Sequence, residues 1–168
     1  MESHGIKFGF FAGIGTVLIL LSAYFIEKKL MLSPSVVWST LIFYLIGMYM
    51  AAYEDRKSQG GFISFKAALR SSFLVWIIAN AIYHVFMYLH FNFFDVGMLD
   101  IQKEYFLEMN EQAGLLNDDL LEQISDQLSY DLMQTLTGYT MSLIGGFALS
   151  AVIARLIRKD DFAKHQNP

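Results

Sequence analysis

The sequence has no cysteine, which excludes disulfides, thiolate metal sites and a cysteine nucleophile. It has only 2 prolines in 168 residues, so little in it interrupts a helix. Charge is scarce too: Asp, Glu, Lys and Arg make up 17%, whereas soluble domains run near a quarter. No clustered basic face is present, which argues against a nucleic-acid partner. There is no G-x-S-x-G, no H-E-x-x-H, no P-loop and no G-x-G-x-x-G. Nothing assembles a nucleophile, a base and an oxyanion donor. The expectation is a protein that is not an enzyme and holds no metal and no cofactor.

What is present is apolar. Hydrophobic residues make up 55%, with 15 Phe, 9 Tyr and 9 Met, and mean hydropathy is +0.40. A membrane span needs roughly 20 apolar residues, and four stretches qualify, at about 6–26, 34–53, 65–94 and 132–155. The first has Lys7 as its only leading base and no A-x-A-like site after it, so it is expected to stay as a span rather than be cleaved as a signal peptide. The second opens on Ser33 and Pro34, an N-cap followed by proline at the first helical position. The expected fold is therefore all-α: a four-helix bundle integral to the membrane, in one domain, with the bilayer as its first partner.

The charges predict an orientation. With the N-terminus inside, the inner loops and tail hold Lys7, Arg56, Lys57, Lys66, Arg70, Arg155, Arg158, Lys159 and Lys164. The outer loops hold Lys28, Lys29 and Lys103. Nine bases against three place both termini in the cytoplasm by the positive-inside rule, here of an inner membrane. The segment 95–134, with ten acidic residues and one base, then faces out. It reads as two short amphipathic helices. One runs from Asp100 to Met109, aligns Ile101 with Tyr105 and stops at Gly114. The other is capped by Asn117 and carries Leu121, Ile124, Leu128 and Leu132. Ten carboxylates suit cation capture or a basic partner, or form a solvated outer face. An EF-hand loop is excluded because Asn117-Asp118-Asp119 lacks the alternating ligand pattern. The run Glu54-Asp55-Arg56-Lys57 reads as a solvated turn, with Arg70 free to snorkel or to pair with Glu54 or Asp55.

Two faces are lined by small residues at four-residue spacing: Gly5, Gly9 and Gly13 on the first helix, and Gly138, Ser142, Gly146, Ser150 and Ala154 on the last. Such faces let helix backbones approach in lipid, either within the chain or across a homodimer or another membrane partner. Within the spans the candidate polar site is Asn80, His84 and Tyr88, which share one face of the third helix. A proton or solute relay and interhelical hydrogen bonding are both open to it. His90 and Asn92 fall near the outer boundary, where wet polar and aromatic side chains are ordinary. His84 and His90 are too far round a regular helix to share a metal ion.

The stretch Gly60-Gly61-Phe62-Ile63-Ser64-Phe65-Lys66-Ala67-Ala68, opening the third span, resembles a signature of the Bacteroidota membrane family catalogued as domain of unknown function four-one-nine-nine. The likeness extends to the glycine-containing first helix, the acidic loop and the last helix from Gly145-Gly146 through Arg158-Lys159. It implies the four-helix membrane architecture and carries no activity or site residues. From the residues, the function expected is that of an accessory or self-associating membrane subunit. A small-solute or ion transporter or channel component using the third helix is the alternative.

Overall fold

The computed structural model describes residues 4–114 and 130–159. The expected second amphipathic helix, with Asn117, Leu121, Ile124 and Leu128, lies outside them.

Four helices are long and apolar enough to cross a membrane, and among the described residues none forms a strand. The first, α1 (His4–Ile26), is apolar on nearly every side, as a helix with lipid on one face and protein on the other must be. A short helix, α2 (Lys28–Leu32), which the sequence does not announce, turns the chain. Then α3 (Pro34–Ser58) begins where Ser33 accepts a hydrogen bond from the Val36 amide. It continues through Glu54-Asp55-Arg56-Lys57, so that run is helical and not a turn. Nothing in it breaks a helix, and termination waits for Gly60 and Gly61, at φ +74° and +91°, a conformation open to glycine at little cost. Ser64 caps α4 (Phe65–Leu89) by accepting from the Ala67 amide.

At its C-terminal end α4 widens into one π-helical turn, His90–Phe94, closed by the Asp95 amide on the His90 carbonyl at 2.9 Å. The following helix, α5 (Met98–Gln112), is longer than the spacing suggests, and its inward residues are Met98 and Gln102. Ile101 and Tyr105 are only half-buried, because the helix rolls to drop Met98 into the apolar cluster below. Gly114 ends it at φ +66°. Asp131 accepts from the Gln134 amide at 2.7 Å and starts the last span, α6 (Leu132–Ile157).

The hub is α4, which packs on α1, α3 and α6. α6 leans on α4 along its length and reaches α3 chiefly at the end near its C-terminus, where Ile153, Ala154 and Ile157 cluster with Ala51, Ala52 and Ile63. A second cluster joins Leu20, Ala23, Met87 and Phe91 to Met31 of α2 and Met98 of α5. The two short helices thus form a cap over the opposite end. In lipid no hydrophobic force separates helix from tail, so close packing and interhelical hydrogen bonds hold such a bundle.

That cap is also tied by charge. Lys28 Nζ lies 2.5 Å from Asp95 Oδ2, which accepts from the Tyr24 hydroxyl at 2.8 Å. Lys29 Nζ lies 2.9 Å from Glu108 and 3.5 Å from Glu104. The Lys28 ammonium, then the Tyr24 hydroxyl, hold the Asp95 carboxyl below its usual range. A depressed carboxyl pKa stabilises the fold above the unfolded value and ceases to as pH falls through the folded one. The native cap is therefore expected to lose protection on the acid side of the ordinary carboxyl range. In Asp95→Asn this component of the acid loss is absent. Hydrogen exchange of α5 amides between neutral and acid pH reads the difference, and identical profiles would count against the pairing.

Candidate functional site

Two polar residues of α4, Asn80 and His84, face α6. Asn80 is buried, and its Nδ2 donates to the Ser142 hydroxyl. Ser142 in turn donates to the Tyr139 carbonyl at 2.6 Å, and the Tyr139 hydroxyl donates back across the seam to the Ile77 carbonyl at 3.4 Å. His84 seats over Gly138, where an added Cβ would come within 3.2 Å of its ring. Its ring meets those of Tyr83 and Tyr139 edge-on at 5.0 and 5.9 Å. Asn80 and His84 are thus brought together with the Gly138–Ser142 face. Tyr88 stands apart from them: its ring meets Phe93 at 6.1 Å, and its carbonyl accepts from Asn92 at 2.9 Å.

The remaining small residues also close on α4. A Cβ at Gly5 would press on the Ser71 carbonyl and Leu74, at Gly9 on Ile78, and at Gly13 on Ile82 and Ala79. At Gly146 it would overlap the Trp76 indole. Ser150 is buried and donates to the Gly146 carbonyl of its own helix. Both faces are therefore occupied within the chain, one on each flank of α4.

Where α6 leaves α3 uncovered, a cleft of about 240 Å³ opens between α3 and α4, lined by Val37, Thr40, Leu41, Tyr44, Asn80 and Tyr83 among others. It is mainly apolar and touches the candidate site only at Asn80.

Two further constellations escape a reading of spacing. His4 Nδ1 lies 2.6 Å from Asp55 Oδ1, and the Ser71 hydroxyl donates to Asp55 Oδ2. This joins the ends of α1, α3 and α4. Asp55 thus pairs with His4, not with Arg70, which is exposed and has no ion pair among the described residues. The partners are far apart in sequence, and no local signal announces the meeting. The second is His90, which is 3% exposed and so is not wet as expected of a side chain near a span end. Its ring lies against Tyr24 at 4.6 Å and Phe86 at 5.4 Å, and its Nε2 has no partner among the described residues. The cap of α2 and α5 covers that depth. Among the described residues no three metal-ligating side chains cluster.

Four long apolar helices gathered around α4, with polar side chains turned inward, define a multi-pass membrane helical bundle. The chain belongs to the family described as Protein of unknown function (DUF4199), which it matches over residues 7–159. No curated protein and no solved structure matches it.

Proposed function

We propose that this protein is a non-enzymatic accessory subunit of a bacterial inner membrane, working through contact with another membrane chain or a second copy of itself. Both termini are cytoplasmic on the balance of nine bases against three. The observation that carries the reading is the use of the intramembrane polar set. Asn80, Ser142 and Tyr139 bond α4 to α6 and His84 fills the space over Gly138, so these groups assemble the bundle. The contact face this favours is the outward side of α6, where Met141, Gly145, Ala148 and Val152 are exposed and a Cβ at Gly145 would meet nothing within 4 Å.

The absence of native cysteine makes the test direct. Gly145→Cys in native membranes is expected to crosslink to a copy of the chain or to one partner, while Phe11→Cys on α1 stays uncrosslinked. A strict monomer at both positions would sink the proposal.

The cleft beside Asn80, with Tyr44 and Tyr83 on its wall, favours a second reading as a small-solute or ion transporter component. On that reading Asn80→Ala and His84→Ala abolish flux in liposomes. On the first, neither changes it.

A further inference from the structure

We propose that the end of the bundle carrying the α3–α4 loop seats the phosphate headgroup of an anionic phospholipid. The proposal is independent of the contact assigned to α6. It rests on a difference between the two ends of the molecule. At the capped end the bases of α2 are neutralised, Lys28 by Asp95 and Lys29 by Glu104 and Glu108. At the other end no carboxylate pairs with Lys66, Arg70, Arg155 or Lys159 among the described residues. Lys66 and Arg70 stand one turn apart at the start of α4, Arg155 lies in the last turn of α6, and Lys159 follows just beyond its end.

The fold ties these helix ends together. Ile63 and Lys159 exchange both backbone hydrogen bonds, at 3.0 and 3.1 Å, and the Ile63 side chain is buried in the adjoining cluster. Lys159 is thereby held with its ammonium over the Phe62 ring, 5.5 Å from the centroid. Phe62 and Phe65 remain 37% and 36% exposed at the boundary of the spans, where aromatic rings rest among headgroups. One cation over an exposed ring, with further unpaired cations on the adjoining helix ends at the edge of a bilayer, complements a lipid with a hydrophobic body and a negative head. A zwitterionic lipid offers the same body without the net charge.

The test compares phosphatidylglycerol with phosphatidylcholine. The purified chain in mixed micelles is offered both, and the lipids retained are counted by native mass spectrometry. The native protein is expected to prefer phosphatidylglycerol roughly tenfold or more, and the preference should collapse in 1 M salt, where the screening length is about 3 Å. The variant Lys66→Gln/Arg70→Gln/Lys159→Gln should lose it, while Lys103→Gln at the opposite end should keep it. Helicity and elution volume report whether each variant is folded. Equal retention of the two lipids by the native chain overturns the proposal, as does a folded triple variant that keeps the preference. The salt arm decides alone if the triple variant fails to fold.

Discussion

Gly146→Ala is expected to lower stability by about 1–3 kcal/mol relative to Gly145→Ala, the same change one residue earlier. The comparison removes what the two substitutions share. Each adds a methyl to the middle of the same helix and each gains the roughly 1 kcal/mol by which alanine outranks glycine in helices. They differ in what the methyl meets. At Gly145 there is nothing within 4 Å, whereas at Gly146 it would overlap the Trp76 ring at Cδ1, Nε1 and Cγ. The indole is restrained by Tyr44, whose ring lies 4.9 Å from it between centroids. Either the indole or α6 must therefore shift, and lifting α6 strains the Asn80–Ser142 bond one turn away. Unfolding in mixed micelles measures the difference, and the contact predicts its own rescue. In a Trp76→Ala background the Gly146→Ala penalty should largely vanish, a coupling of the size found between residues in contact. Equal stability of the two alanine variants would show that α6 does not approach α4 as closely as described.

The four spans were legible because lipid demands long uninterrupted apolar helices, and the start of the second because Ser33 carries local capping chemistry. The small-residue faces were legible as spacing, but their partners were not. Nothing local says that Gly146 receives Trp76, or that Gly5, Gly9 and Gly13 lie along α4, because periodicity describes one helix at a time. The same limit hid the meeting of His4, Asp55 and Ser71, which are brought together only by the packing of three helix ends. The burial of His90 was missed for a different reason. Wetness was inferred from its position along one helix, while its burial comes from the cap of α2 and α5 and from the π turn that widens α4 there. The run from Glu54 to Lys57 went the other way: charge suggested a turn, yet without glycine or proline the helix simply continued to Ser58.

The second large effect is expected at Ile63, within the short stretch that first suggested the family. Ile63 is 2% exposed and clusters with Ile157, Ala154 and Ala52, so Ile63→Ala leaves a cavity and should cost about 2–5 kcal/mol. Phe62→Ala next to it should cost clearly less, because that ring is 37% exposed and plugs nothing. Truncating the Ile63 side chain leaves its amide and carbonyl free to bond Lys159, so plug and backbone bridge are separable. Ile63→Pro removes the amide donor as well and is expected to be worse than Ile63→Ala. Hydrogen exchange at the Lys159 amide distinguishes the two, since the alanine variant retains the carbonyl that accepts from it, while the imposed proline geometry pulls that carbonyl out of register. The glycines before Ile63 follow from the same geometry: the chain must leave α3, turn through two positive φ angles at Gly60 and Gly61, and deliver one apolar side chain under the end of α6. If Ile63→Ala proves neutral, the stretch acts as a simple connection. If it destabilises as expected, it latches the last helix to the first three and fixes where Lys159 stands.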